Sequence, residues 1–358
     1  MPYRIFPLIS FFFILTFSAI AAESKDQTRH IEPSIFGDIC IEDPVILDLL
    51  NAPVMKRLHN IDQSGTPRYF THHVPAFTRY DHSVGVYALL KKAGVSLDEQ
   101  IAGLLHDASH TVFSHTGDWV MGMGEKDNSY QDDIHSWFLK NMQVEDILHK
   151  HGHTLDKVLH KNNGHVALEQ DLPDMCADRI EYNLHTGLIF GLLTTAEIKE
   201  IADDLHYENQ KWFFTNPKLA RDFANLSIYF TQYLWGSPYN QAINHWSGQM
   251  LKRAIDIQLV NRDTFHFGID QQVLEKLQDS SDPEIQMYLE KCKNFQHHYK
   301  VVSNDDFDIQ TKPKFRGIDP WVRVNGKLLR LTQIDKDYAR EYKRVKLYVQ
   351  KGIRIKFI

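Results

Sequence analysis

The dipeptide His106-Asp107 closes an apolar run, Ile101-Ala-Gly-Leu-Leu105, and opens a loop with two further histidines, His110 and His115. Two distant residues share its chemistry. They are His82 in Arg79-Tyr-Asp-His-Ser83 and Asp178 in Ala177-Asp-Arg-Ile-Glu-Tyr182. Imidazole and carboxylate groups in the order H…HD…D form a ligand set for a divalent cation. To act together they must come from separate helices or helix ends that a bundle brings to one point. The expected fold is therefore mainly α: a helical bundle around the site, with a small β-containing C-terminal part.

Local signals supply the helices. Val84, Val86, Ala88, Leu89 and Leu90 fall within His82–Ala93, and Gly94 then breaks the pattern. Ser96-Leu-Asp-Glu99 reads as a capping box. Leu97, Ile101, Leu104 and Leu105 follow at helical spacing, so His106 and Asp107 fall at a helix C-terminus. Asp171-Leu-Pro173 reads as the opening of another helix, with proline in its first turn and Cys176 in its middle. On that helix Asp178 and Tyr182 share one face. Thr194-Thr-Ala-Glu197 and Asn216-Pro217 open two more helices.

Hairpins are expected at Leu205–Phe214 and at Trp321–Leu331, where Asn325-Gly326 suits a type I′ turn. An alternating stretch runs from Val345 to Ile358 around Lys351-Gly352. The chain divides into a leader (1–21), a polar mobile segment (22–34), a site-bearing domain (35–262) and a mixed α and β extension (263–358).

The leader has the form of a signal peptide. Met1–Arg4 is short and positive, Phe6–Ile20 is apolar, and Ala19-Ile-Ala21 fits a small-x-small cleavage site. The run is short for a membrane span. The expectation is export to the periplasm or medium, without a stable membrane span; a different start site would leave the protein in the cytoplasm. Three cysteines, Cys40, Cys176 and Cys292, form neither a disulfide framework nor a thiolate metal site, and leave room for one disulfide. A net charge of −6 argues against a duplex nucleic-acid partner.

A phosphoester resists hydrolysis because its anionic oxygens repel an anionic nucleophile. A divalent cation neutralises charge, orients the phosphate and acidifies a bound water. Two imidazoles and two carboxylates suit one ion of Mn, Mg, Fe, Co or Ni; zinc is less favoured without a thiolate.

With this motif in this context the chain resembles the HD superfamily of metal-dependent phosphohydrolases. It looks most like the deoxynucleotide triphosphohydrolase branch that includes the vertebrate SAM-and-HD-domain protein. The resemblance runs from about Ile35 to Val260, with a weaker echo in Arg316-Gly-Ile-Asp-Pro. It implies His82, His106, Asp107 and Asp178 as metal ligands. It places Arg79, Arg179 and Tyr182 against phosphate or sugar, and Gln63 against the sugar. His110 and His115 match positions near the phosphates. His135 matches the general acid, with Asp118 as the carboxylate that orients it. The implied reaction converts a (deoxy)nucleoside triphosphate to nucleoside and tripolyphosphate, and a homo-oligomer fits the branch.

Departures weaken the substrate assignment. Thr186 stands where the branch has an aspartate, and its downstream phosphate-binding arginine has no clear counterpart between Tyr229 and Tyr239. Other readings are a phosphomonoesterase or cyclic-nucleotide phosphodiesterase on the same site, with a second metal drawn by His110, His115 and His135. A silent nucleotide-binding module is the non-enzymatic alternative.

Overall fold

Thr78 starts the helix on which the site depends. Its hydroxyl accepts from Asp81 N at 3.1 Å, and the Asp81 carboxylate accepts from Thr78 N at 3.3 Å, completing a capping box. Helix Arg79–Ala93 follows and ends at Gly94, whose φ of +68° suits a residue without Cβ. The computed structural model describes residues 29–122, 129–159 and 164–358. The leader expected at 1–21 lies outside the described residues.

Helix Leu97–Leu105 begins with Ser96 Oγ accepting from Glu99 N at 3.2 Å, but the capping box is only half made. The Glu99 carboxylate turns away to accept from Ala167 N at 2.8 Å and Leu168 N at 3.2 Å. Those residues in turn accept, through their carbonyls, from Ala177 N and Asp178 N. Glu99 thereby fixes the loop that launches the Asp178 helix. That helix runs Ala177–Ile189, later than its expected opening at Asp171. Asp171–Asp174 closes a turn instead, with a cis Leu172–Pro173 peptide, and Cys176 is the extended N-cap rather than mid-helix.

Both expected hairpins form. β3 (Leu205–Glu208) and β4 (Lys211–Phe214) turn through Asn209 and Gln210. β7 (Trp321–Val324) and β8 (Lys327–Arg330) turn through Asn325 and Gly326, both at positive φ. β7 adds in parallel to β4, giving the order β3-β4-β7-β8. A second sheet has the order β5-β9-β6, from Tyr299–Val301, Ile353–Phe357 and Ile309–Thr311.

Three expectations need correction. Arg29–Ser34 is β1, paired antiparallel with β2 (Gly37–Ile41), so this end of the expected mobile segment is a strand. Val345–Lys351 is helical: Asp335 caps a helix Lys336–Lys351 whose buried Tyr338, Val345 and Val349 lie at helical spacing, and only β9 beyond Gly352 is a strand. The boundary near 262 falls inside a continuous second core, where Trp246, Met250 and Leu251 pack with Phe265, Val273, Ile285 and Ile355. Asp270 ties this region to the site loops, accepting from Phe113 N at 2.6 Å, Asp62 N at 2.9 Å and Tyr69 Oη at 2.9 Å. All three cysteines are free.

Candidate metal centre

His82 lies in the first turn of its helix and is fully buried. His106 and Asp107 follow the end of the next helix, and Asp178 sits in the first turn of the third. These elements bring donors of His82, His106 and Asp107 within 4.8 Å of one another and set the Asp178 carboxylate against both histidines. His82 Nε2 is 3.2 Å from His106 Nε2, 3.0 Å from Asp178 Oδ1 and 3.5 Å from Asp107 Oδ2. His106 Nε2 is 3.6 Å from both Asp107 Oδ1 and Asp178 Oδ1. Cis donors around an octahedral ion with bonds of about 2.1 Å sit about 3.0 Å apart, and tetrahedral ones about 3.4 Å. The cluster has that size.

Proton bookkeeping points the same way. His82 Nδ1 faces the Glu181 carboxylate, and His106 Nδ1 faces the Gly103 carbonyl at 2.7 Å. If each Nδ1 donates, both Nε2 atoms turn lone pairs toward each other, and two carboxylates adjoin them. Such an arrangement requires a positive charge in its centre. Burial opposes charge on His82, yet Glu181, Asp178 and Asp107 outweigh it and push the imidazole up to about 10. A divalent cation would answer the same demand. The side chains of Asp178 and His106 are 20% and 10% exposed, so the cluster opens to solvent on their side.

Glu181 is a functional residue that the sequence reading missed. It is fully buried and also accepts from His185 Nδ1 at 2.7 Å. A carboxylate behind a metal-binding histidine fixes the tautomer and raises ligand basicity. Its signal was the one-turn spacing from Asp178, easily mistaken for a solvated helix face. Gly85 makes room for it: a Cβ there would lie 2.6 Å from Glu181 Cγ and Oε1.

The proposed phosphate arginines are placed differently from expectation. Arg79 is 1% exposed; its guanidinium pairs with Asp107 and donates to Ser114 Oγ at 2.9 Å and to the Gln63 carbonyl at 3.3 Å. Beginning its helix one turn before His82, it points into the protein and aims a ligand. Burial opposes ionisation of Asp107, but Arg79, His106 and His110 hold it well below the ordinary carboxylate value. Arg179 Nη2 pairs with Glu169 at 2.7 Å, and Nη1 donates to the Gln170 carbonyl and, at 3.2 Å, to the Asp174 carbonyl. It locks the loop before its own helix.

His135 and Asp118 are not paired to each other in this structure. His135 is buried on helix Tyr130–Asn141, with Nδ1 2.8 Å from Ser109 Oγ. Asp118 faces His115 Nδ1 at 3.4 Å and accepts from Tyr130 N at 2.7 Å. Positive φ at Phe113 and Ser114 turns the chain so that His115 precedes the short helix Thr116–Val120 and Asp118 follows one turn later. Burial, with help from Arg79 and Arg316 and against Asp118, lowers the His115 pKa. His110 is buried with Nε2 3.3 Å from Asp107 Oδ1, and burial lowers it to about 3, so it is neutral.

His115 and Asp118 line a cleft that is open to solvent. Phe77, Tyr182, Trp235, Gln63 and Asn244 line it too. The Phe77 and Tyr182 rings lie 6.1 and 6.4 Å from the His82 ring, so the cleft adjoins the metal ligands. Gln63 Oε1 and Tyr182 Oη are buried without a hydrogen-bond partner among the described residues. Leu234 and Trp235 reach the cleft from a π-helical turn, Thr231–Trp235, that the sequence pattern did not reveal.

Comparison with known proteins agrees with this centre. The family described as HD domain matches residues 79–207. The chain is 29% identical over 331 residues to the uncharacterized protein YdhJ of Bacillus subtilis, covering 92% of this chain and 99% of that one. It is 26% identical to the metal-dependent phosphohydrolase cns2 of Cordyceps militaris, over 84% of this chain and 87% of that one. With the protein of Dictyostelium discoideum named deoxynucleoside triphosphate triphosphohydrolase SAMHD1 homolog, identity is 21%, over 78% of this chain and 61% of that one. The chain thus carries an HD domain over residues 79–207 and along most of its length is similar to a metal-dependent phosphohydrolase.

Proposed function

We propose that the protein hydrolyses (deoxy)nucleoside triphosphates to nucleoside and tripolyphosphate. The observation that carries this reading is the cleft itself. It is lined by the His115–Asp118 pair and by Phe77, Tyr182 and Trp235, and the Phe77 and Tyr182 rings lie beside the His82 ring of the His–Asp cluster. Aromatic faces suit a nucleobase or sugar, and the unpartnered Gln63 Oε1 and Tyr182 Oη suit ribose hydroxyls or bound water.

His82, His106, Asp107 and Asp178 would hold the ion, which supplies Lewis acidity and an activated water when bound. Glu181 and Gly103 set the tautomers of the two histidines, and Arg79 with His110 sets the angle of Asp107. His115, rather than His135, is the proton donor in this reading. An arriving phosphate favours the charged imidazole, so His115 picks up a proton and can deliver it to the leaving oxygen. Asp118 orients that ring.

A second reading is a phosphomonoesterase or cyclic-nucleotide phosphodiesterase. It is favoured by Arg79 and Arg179 being committed to Asp107 and Glu169. We also propose export, from the leader, and a homo-oligomer.

The test is product analysis. The protein with Mn or Mg is given deoxynucleoside triphosphates, monophosphates and cyclic nucleotides, and products are separated by chromatography. Nucleoside plus tripolyphosphate supports the triphosphohydrolase; phosphate release from monophosphates alone, or ring opening alone, refutes it in favour of the second reading.

A further inference from the structure

The cleft draws its positive charge from an unexpected place. Lys312, Lys314 and Arg316 line it from a single segment. This segment leaves β6, which pairs with β9, and enters β7, which pairs with β4, so both its ends are anchored in sheets. Thr311 and Pro313 are buried while Lys312 and Lys314 are exposed. The Arg316 and Ile318 N–H groups donate to Thr231 Oγ1 at 3.2 Å and Ser227 Oγ at 3.1 Å. Pro313 sits close against Gly236, where a Cβ would be 3.1 Å from Pro313 Cβ. The segment is thus a fixed strap that presents cations to the cleft.

The Arg316 guanidinium lies 5.7 Å from the centroids of both the Tyr182 and Trp235 rings. Among the described residues no carboxylate forms an ion pair with it or with Lys312. A cation without a carboxylate partner among the described residues, held over aromatic faces in an open cleft, is placed for an anion from outside. We propose that residues 312–316 form a phosphate-binding arm. Arg316, Lys312 and Lys314 hold the phosphate chain of a nucleoside polyphosphate beyond the phosphate that meets the metal. This rests on the proposed reaction and deepens it. A monophosphate would leave the arm unused, so the arm selects polyphosphates; it offers Arg316 and Lys312, which no carboxylate among the described residues claims, where Arg79 and Arg179 are paired with Asp107 and Glu169.

The test uses the full chain with its metal as purified and inorganic tripolyphosphate as probe, by calorimetry. Hydrolysis of bis(p-nitrophenyl) phosphate by the wild type is measured in parallel to report on the metal centre alone. Loss of one charge-assisted contact in Arg316→Gln weakens tripolyphosphate binding about 10- to 100-fold. Lys312→Gln, at an exposed position where folding is not at stake, weakens it less but in the same direction. Lys343→Gln, an equal change of charge at an exposed position outside the cleft, leaves it as in wild type. Wild-type affinity in Arg316→Gln and Lys312→Gln overturns the arm, as does equal weakening in Lys343→Gln, even if the diester is hydrolysed. Weakened binding in the arm variants with no diester hydrolysis upholds the arm and refutes the reaction instead.

Discussion

Replacing Glu181 by glutamine asks whether the metal centre depends on a residue that cannot touch the metal. The substitution keeps volume in a site with no solvent access and changes one oxygen to an amide nitrogen. Glu181 accepts from two imidazoles, His82 Nδ1 and His185 Nδ1. Glutamine has one carbonyl and can serve only one of them well. If it turns its amide nitrogen to His82, that ring must put its proton on Nε2 and cannot ligate. Loss of one charge-assisted hydrogen bond costs about 1.5–3 kcal/mol, or about 10- to 150-fold in affinity. That agrees with the 10- to 100-fold cost generally found for outer partners of metal-bound histidines. The assay is a Mn titration of chelator-treated protein, followed by turnover at saturating Mn. Metal affinity should fall by that factor, with turnover partly restored at high Mn. Gly85→Ala should act likewise, because its methyl group would displace the Glu181 side chain. Unchanged metal affinity in Glu181→Gln would refute the reasoning.

Two further outcomes distinguish this account from its alternatives. His115→Gln should lower kcat by about 10²- to 10⁴-fold, as for loss of a general acid or base, while His135→Gln stays within a few-fold of wild type; the reverse order in steady-state kinetics would restore His135 as the acid. Asp62 is pushed up to about 7, first by burial. Its folded pKa is above the ordinary carboxyl value, so the stability it contributes is present below about pH 4 and is lost as pH rises through about 7, on the order of 1–4 kcal/mol. Urea denaturation at intervals between pH 4 and 8 should show that decline, and a much flatter profile in Asp62→Asn.

The convergence of the candidate ligands was legible in the sequence because their helices announce themselves: Thr78 with Asp81, Ser96, and the apolar run before His106. Hairpins were legible because Asn325-Gly326 admits few alternatives. What escaped was set by tertiary packing. Glu99 completes a capping motif on paper, yet reaches across to the Ala167–Leu168 backbone. Arg79 and Arg179 carry the right charge at the expected spacing, but a carboxylate near each one claims the guanidinium. Asp118 could have served either histidine, and only the positive-φ turn at Phe113 and Ser114 decides for His115. The strap from Lys312 to Arg316 reaches the cleft only because β7 joins β4, a long-range pairing that no local pattern encodes.

The most direct measurement compares bound metal per chain and phosphoester turnover in the same preparations of wild type and a His106→Ala, Asp107→Ala double variant. The account predicts one ion per wild-type chain, none in the variant, and loss of turnover with the ion while the fold, followed by circular dichroism, persists. Hydrolysis retained by a folded, metal-free variant would contradict it.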